Sequence, residues 1–125
     1  MPIDPTLRYD PDNIFAKILR GEIPCTCVFE DEWALAFEDI APQAKVHTLV
    51  IPKGAYVSWD DFSARASDAE IAGFVRAVGS VARSKGLVEP GYRLLANIGH
   101  DGGQEVPHLH VHIFGGEPLG RMIAR

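Results

Sequence analysis

The sequence has little of what disulfide-linked, membrane-spanning or polyanion-binding proteins need. Its two cysteines, Cys25 and Cys27, are too few for a disulfide framework and poorly spaced for a bridge between them. No apolar run approaches the roughly 18 residues of a membrane span, and the N-terminus lacks the pattern of a signal peptide. Positive charge is also scarce, with 12 Lys and Arg against 17 Asp and Glu. We therefore expect a reduced, cytoplasmic protein that binds neither nucleic acid nor membranes.

The chain is long enough, and has enough hydrophobic residues, to form the core of one domain. It has 125 residues, of which 46% are hydrophobic, and it shows no repeat and no internal linker. Residues 1–12 carry Pro2, Pro5 and Pro11 among polar residues, which predicts a flexible N-terminal arm. Residues 13–125 then form the single predicted domain.

Hydrophobic patterning predicts an α+β fold. A short helix is expected at 13–20 and a long one after the capping box at Ser67 and Glu70, whereas 53–66 is expected to be irregular. Strand-like runs cover 25–30, 33–38, 45–51, 92–96 and 108–114. The strands cluster before and after the long helix instead of alternating with helices. This order favours an antiparallel sheet of about five strands, with the long helix packed on it.

Three of the five histidines alternate with apolar residues near the C-terminus. In a strand, His108, His110 and His112 share one face, while the residues between them point into the core. The apolar half fixes the register, because a slip of one residue would bury all three imidazoles. This arrangement predicts a histidine-lined functional face.

Two chemical uses of that face fit the residues. In a zinc site, one flat strand hardly lets three imidazoles converge, so two of them would need His47 or a carboxylate to complete the ligand set. In nucleophilic catalysis at phosphorus, His110 would attack while its neighbours orient it and hold the phosphoryl oxygens. The glycine-rich loop 97–106 favours the second use, since its backbone amides can approach an anion, and Asn97 and Gln104 add neutral donors.

At this point the sequence resembles the histidine triad (HIT) superfamily, and within it the Hint branch of nucleoside phosphoramidate hydrolases. The family signature, His-x-His-x-His followed by two apolar residues, is fully matched at 108–114. The third triad position is His112 and not Gln, which resembles the hydrolases more than the nucleotidyl transferases. The paired-cysteine zinc motif of some members is absent. Further similarity lies at 14–18, 22–24, 37–44, 47–53, 97, 101–104 and 115–116, so that the resemblance spans roughly residues 13–120.

The resemblance implies a HIT-like fold that pairs through its long helix and a neighbouring strand into a homodimer. It implies a purine nucleoside 5′-phosphoramidate hydrolase acting on AMP-amine substrates, with no cofactor and no metal. His110 would be the nucleophile that forms a nucleotidyl-histidine intermediate, and His112 would contact the phosphate. His108 would orient the imidazoles, with support from His47. A dinucleoside polyphosphate hydrolase and a nucleotide-binding regulatory dimer with low turnover remain alternatives.

The resemblance also implies how the nucleotide is held. Phosphate contacts fall at Asn97 and Gly103, and we expect Gln104 and Glu105 of the same loop to belong to the phosphate-binding group as well. Glu105 stands where animal relatives commonly have Ser, and its carboxyl could donate a proton only if burial raised its pKa. The ribose would be bound at Asp39 beside Ile40, although a loop-capping carboxylate is the alternative for Asp39. The purine slot would comprise Ile14, Phe15, Ile18 and Phe37, and plain core packing is the alternative for Ile14, Ile18 and Phe37.

Overall fold

Five antiparallel strands and four helices make up the computed structural model, which describes residues 3–123. The strands are β1 (Cys27–Glu30), β2 (Ala34–Glu38), β3 (Val46–Pro52), β4 (Arg93–Leu95) and β5 (Val111–Gly115), in the sheet order β1-β2-β3-β5-β4. The helices are α1 (Ile14–Leu19), α2 (Trp59–Arg65), α3 (Asp68–Ser84) and α4 (Gly99–Gly102). The predicted α+β class and the five-stranded antiparallel sheet are confirmed. Across the described part of the chain, no helix has the length and apolar character that crossing a membrane demands.

The two predicted helices begin and end where their capping residues indicate. The Asn13 side chain accepts a hydrogen bond from the amide of Ala16 and starts α1. Ser67 and Glu70 form the reciprocal capping box of α3. Gly86, with φ of 72°, follows the end of α3 in the left-handed conformation that favours glycine.

The sheet is covered on both faces, and β2 shows this most clearly because Ala34, Leu35, Ala36 and Phe37 are all buried. Successive residues of a strand point to opposite faces. Ala34 and Ala36 belong to a core with the apolar face of α3. Leu35 and Phe37 belong to a second core with Phe15 of α1. Each strand residue therefore lies on either the α3 face or the α1 face of the sheet.

The prediction that 53–66 is irregular was wrong, because α2 occupies most of it. The helix starts at a second capping box, in which Ser58 and Asp61 satisfy each other's backbone amides. This Ser-x-x-Asp spacing is visible in the sequence and would have located the helix. Phe62 of α2 is buried in the α3-face core, which supplies the tertiary reason for the helix to form. The predicted loop 97–106 likewise contains the short α4.

The histidine strand is shorter than predicted, since β5 begins only at Val111 and contains only His112 of the triad. Its ladder with β3 ends at the pair Val50 and Val111. Before that point the backbone groups find other partners. The amide of Leu109 donates to the Tyr56 carbonyl, and the His108 carbonyl accepts from the ring of His110. These two hydrogen bonds replace the ladder of backbone hydrogen bonds that a longer β5 would make.

Residues 3–12 contain no helix or strand but contact the domain at several points. The amide of Ile3 donates to the Gln104 carbonyl at 2.9 Å. The guanidinium of Arg20 donates to the Pro11 carbonyl at 2.8 Å. The predicted mobility of the arm 1–12 stays a prediction. Residues 1–2 and 124–125 of the two predicted segments lie outside the described residues.

Candidate active site

The histidines lie on the α1 face of the sheet, where β3 and β5 run side by side. His47 of β3 is paired with Phe114, and Leu49 is paired with His112, so His47 and His112 are diagonal neighbours on one face. Long side chains at such diagonal positions reach one another. The structure thereby brings His47, which is 65 residues away in sequence, to within 2.9 Å of His112.

The triad is more deeply buried than its sequence pattern suggested. His108 is fully buried and His110 is 7% exposed, while His112 is partly exposed. The expectation that alternation separates an open histidine face from the core was wrong at the first two positions. The edge of the Phe15 ring packs against His110, with ring centroids 5.0 Å apart, and Tyr9 packs edge-on against His108. Helix α1 and the segment before it therefore form a second cover over the sheet.

The orientation of His110 follows from one short hydrogen bond. Its Nδ1 lies 2.7 Å from the carbonyl oxygen of His108, which can only accept, so Nδ1 carries the proton. The lone pair of the neutral ring is therefore on Nε2. Among residues 3–123, Nε2 of His110 has no hydrogen-bond partner. Every side-chain nitrogen and oxygen that is buried in this part of the chain does have a partner, so Nε2 is accessible to solvent. His110 thus presents one unengaged nucleophilic nitrogen.

The tautomers of His47 and His112 are fixed in the same way. The amide of Gln43 donates to Nδ1 of His47 at 3.1 Å, so the His47 proton is on Nε2. That Nε2–H donates to Nδ1 of His112 at 2.9 Å, which leaves the His112 proton on its own Nε2. The rings of His110 and His112 are 5.2 Å apart. A nucleophilic nitrogen and an N–H donor are therefore presented by adjacent imidazoles.

His108 is held at both ring nitrogens and exposes neither. Its Nε2 donates to the Pro52 carbonyl at 2.9 Å, and its Nδ1 accepts from the phenol of Tyr9 at 2.7 Å. If His108 orients the other imidazoles as predicted, the Pro52 carbonyl and the Tyr9 phenol are the groups that hold it in place. Tyr9 was missed by the sequence analysis, since a tyrosine in a proline-rich arm gives no local signal that it reaches a residue 99 positions away.

Burial keeps these imidazoles neutral at physiological pH. It lowers the pKa of both His108 and His112 to about 4. Burial also lowers the pKa of His110 and of His47 below the usual histidine range. For His110, the negative charges of Asp39 and Glu105 and the bond to the His108 carbonyl oppose that shift without reversing it. The contact between His47 and Asp39 is therefore one of a neutral ring with a carboxylate.

Asp39 has two contacts, one in its loop and one at the site. Its Oδ1 accepts from the amide of Ala41 at 2.8 Å, which is the loop-capping role left open by the sequence. Its Oδ2 lies 3.4 Å from Nε2 of His47. Within residues 3–123, Asp39, His47 and His112 are the group whose ligand atoms all fall within 4.8 Å of one another. A metal would thus meet only one triad histidine, not the two that the zinc interpretation required.

In the loop before the triad, two predicted phosphate contacts are occupied by the protein itself. The amide of Gly103 donates to the His100 carbonyl. Gln104 is 1% exposed, and its side chain accepts from the amide of Gly99 and donates to the carbonyls of Val57 and Val106. Gln104 therefore stabilises the loop, and both its side-chain oxygen and its side-chain nitrogen are already hydrogen-bonded and not free for a phosphate.

Other groups of this loop remain available. In the described part of the chain, the amides of Glu105 and Val106 have no acceptor. Asn97 is half-buried and packs beside Gly102. The Glu105 side chain is exposed, so the burial that proton donation would require is absent.

The residues predicted to form a purine slot separate into two groups. Phe15 and Phe37 are buried with their rings 5.5 Å apart, and Ile18 packs on the same cluster, so for these residues core packing is what the structure shows. Ile14 is 45% exposed and Ile40 is 99% exposed. Of the residues predicted to bind the ribose or the base, only Ile14 and Ile40 offer substantial apolar surface to a ligand.

Fold and site together define a histidine triad domain, with the triad at the entry to strand β5, which lies between β3 and β4 in the sheet. Comparison with known proteins agrees, since the model of the HIT domain matches residues 20–119. The chain belongs to the HIT family.

Relatives of known sequence and structure cover nearly the whole chain. An uncharacterized HIT-like protein of Azospirillum brasilense is 68% identical, covering 94% of this chain and 96% of that protein. Purine nucleoside phosphoramidase of Escherichia coli is 42% identical, with 90% and 94% covered. A solved HIT family hydrolase from Clostridium thermocellum superposes with a TM-score of 0.81 at 38% identity, covering 90% of this chain and 97% of that one. A histidine triad protein from Clostridium difficile gives 0.80 at 41% identity, with 93% and 100% covered.

Proposed function

We propose that this protein hydrolyses the P–N bond of purine nucleoside 5′-phosphoramidates through a covalent nucleotidyl-histidine at His110. The observation that carries the proposal is the state of this imidazole. Its Nδ1–H is engaged by a carbonyl, and its Nε2 lone pair is unengaged and open to solvent. Burial lowers its pKa and so keeps it neutral at physiological pH. A neutral imidazole in this orientation can attack phosphorus without a separate base.

The reaction proceeds in two displacements. The Nε2 lone pair of His110 forms a bond to phosphorus as the P–N bond to the amine breaks, and the departing nitrogen takes up a proton from solvent. Water then attacks the same phosphorus and loses a proton to solvent, while the N–P bond breaks, the nucleoside monophosphate leaves and the electron pair returns to Nε2 of His110. The Nε2–H of His112 and the amides of Glu105 and Val106 donate to the phosphoryl oxygens as negative charge gathers on them. The residues supply this stabilisation without a metal ion or cofactor.

Binding of the nucleoside rests on the groups that remain exposed beside the triad. Oδ2 of Asp39 makes no short hydrogen bond within the described residues and can accept one from a ribose hydroxyl. Ile14 and Ile40 offer apolar surface to a purine ring. The 42% identical relative from Escherichia coli is named a purine nucleoside phosphoramidase, which supports the same substrate class here.

The proposed active form is a homodimer. The exposed apolar residues of α3 and β4 lie together on one face, and β4 is an edge strand of the sheet. An apolar groove of about 560 Å³ runs between these two elements, and its lining includes Val75, Leu94 and Tyr92. A second copy that places its own α3 and β4 here would cover this surface symmetrically.

Trapping of the covalent intermediate tests the proposal. The protein is mixed with an AMP-amine conjugate labelled on phosphorus, quenched in base and analysed for acid-labile label, with and without a chelator. We expect label on the wild type in both conditions, and no label on His110→Ala. The matched control His100→Ala removes an exposed histidine of the same loop region and should label normally.

Other outcomes separate the alternatives. Faster turnover of a dinucleoside polyphosphate than of the phosphoramidate favours the polyphosphate hydrolase. Tight AMP binding without label indicates the regulatory dimer. Loss of label with chelator, together with stoichiometric zinc that disappears in His112→Ala, points to a metal site at Asp39, His47 and His112.

A further inference from the structure

Tyr9 connects the N-terminal segment to the triad. Its phenol oxygen lies 2.7 Å from Nδ1 of His108, and the two rings meet edge to face with centroids 5.6 Å apart. Tyr9 precedes α1 and belongs to the segment whose sequence predicted only a flexible arm.

The direction of the hydrogen bond is fixed by the other side of the imidazole. Nε2 of His108 lies 2.9 Å from the Pro52 carbonyl, which can only accept, so the His108 proton is on Nε2. Nδ1 is therefore an acceptor and the Tyr9 phenol is its donor. His108 has no exposed surface, so water does not reach Nδ1 to replace the phenol.

Neighbouring contacts hold Tyr9 in place. On its N-terminal side, the Ile3 amide donates to the Gln104 carbonyl, and Pro5 packs against Gly99 so closely that a Cβ there would lie 3.3 Å from the proline ring. On its C-terminal side, the Asn13 side-chain amide donates to the Asp10 carbonyl at 2.7 Å. The segment around Tyr9 is thus attached both to the loop before the triad and to the start of α1.

The position of His108 bears directly on the nucleophile. The same residue whose ring is held by Tyr9 and Pro52 supplies the carbonyl that accepts from Nδ1 of His110. A displacement of His108 as a whole would move both its ring and this carbonyl, and with the carbonyl the direction of the His110 lone pair. We propose that Tyr9 is a positioning residue, whose phenol anchors the Nδ1 side of the His108 ring opposite the Pro52 carbonyl and thereby keeps His110 aimed at phosphorus. The catalytic part of this proposal rests on the proposed function.

The proposal predicts a change in turnover more than in substrate affinity. Tyr9 acts at the Pro52 end of β3, whereas Asp39 contacts His47 near the opposite end of that strand. Tyr9→Phe should therefore lower kcat about tenfold, because small misplacement of a reacting group is costly, and leave KM within about twofold. Tyr56→Phe is the matched control, since its phenol donates to Glu70 and to no histidine.

Histidine nitrogen NMR of the full chain tests the hydrogen bond without reference to activity. In the wild type, the His108 ring should show a protonated Nε2 and a hydrogen-bonded, unprotonated Nδ1. In Tyr9→Phe, the Nδ1 resonance should move towards the value of a free acceptor, while Nε2 stays protonated against the Pro52 carbonyl. Tyr56→Phe should leave the His108 resonances unchanged. Circular dichroism of both variants reports that the fold is kept.

Each alternative result has a definite meaning. Identical His108 resonances in the wild type and Tyr9→Phe would overturn the proposal. So would an unchanged kcat in Tyr9→Phe, or an equal loss in Tyr56→Phe. If the wild type does not turn over phosphoramidates at all, the proposed function fails. The NMR comparison would then still decide whether the Tyr9 phenol holds the His108 ring at Nδ1.

Discussion

The protonation of each histidine ring in the site follows from a backbone group, which binds the ring directly at His47, His108 and His110 and acts through His47 at His112. The His108 carbonyl fixes the proton of His110, and the Gln43 amide fixes that of His47 and, through it, of His112. Because carbonyls only accept and amides only donate, the tautomers need no further assumption. The four imidazoles thereby differ in which nitrogen carries the proton and which is left to accept, and the proposed division into a nucleophile, a donor and two supporting groups rests on that difference.

The lowered pKa of His110 sets the expected pH dependence of activity. A histidine of ordinary pKa, about 6.5, would be half protonated and inactive as a nucleophile near that pH. Burial lowers the pKa of His110, so the neutral form persists to lower pH. We expect the acid limb of the kcat/KM profile for an AMP-amine conjugate to have its midpoint below pH 6.5, and steady-state rates from pH 8 into acidic solution measure it.

A surface histidine provides the control for this pH profile. His100 is exposed, and His100→Gln should leave the profile unchanged. An acid limb with its midpoint at or above 6.5 in the wild type would contradict the expected neutrality of the nucleophile.

At the scale of elements, the loop between β4 and β5 is held by one side chain. Gln104 connects the first residue of α4 to the segment before α2 and to the residues that lead into the triad. The sequence placed this amide against a phosphate, because a neutral donor in a glycine-rich loop is compatible with either role. Only the fold shows that three backbone groups already engage it.

Gln104→Leu distinguishes the two roles. The substitution leaves the amide of Gly99 and the carbonyls of Val57 and Val106 without their partner in a buried environment. We expect the free energy of unfolding, measured by urea denaturation, to fall by about 2–3 kcal/mol. Gln43→Leu changes an exposed glutamine with no side-chain bond among the described residues and should alter stability by less than about 0.5 kcal/mol. Unchanged stability combined with weaker AMP binding in Gln104→Leu would instead favour the phosphate contact.

At the scale of the whole molecule, the exposed apolar residues indicate which surface is available for association. Val75 is 56% exposed and Leu94 is 50% exposed, and both line the groove between α3 and β4. Contiguous exposed apolar surface of this kind marks interaction sites. The triad lies on the opposite, α1 face of the sheet, so association through this groove leaves the histidines open.

Introducing a charge into this groove tests the homodimer. We expect the wild type to sediment at twice the 13.7 kDa of one chain, and Leu94→Glu to sediment as a monomer, because a buried unpaired carboxylate is costly. Val88→Glu is the matched control, since Val88 is 59% exposed and lies outside the groove lining. A monomeric wild type, or equal dissociation of both variants, would contradict the proposed interface.

Local sequence signals determined most of the secondary structure of this protein and indicated its family. Capping residues, periodicity and alternation located α1, α3 and all five strands to within a few residues, because these signals depend on neighbours in the chain. The triad signature indicated the HIT family for the same reason. The missed helix α2 carried a capping box of the same kind at Ser58 and Asp61, so that error lay in the interpretation and not in the sequence.

Tertiary structure alone decided how the site is assembled and which histidine atoms face solvent. The alternation of His108, His110 and His112 specified a common face, but α1 and the segment at Tyr9 cover that face and bury the first two rings. The bond from His47 to His112 depends on the register of β3 against β5. Such contacts join residues far apart in the chain, and their geometry is set by packing, which no local pattern of residues encodes.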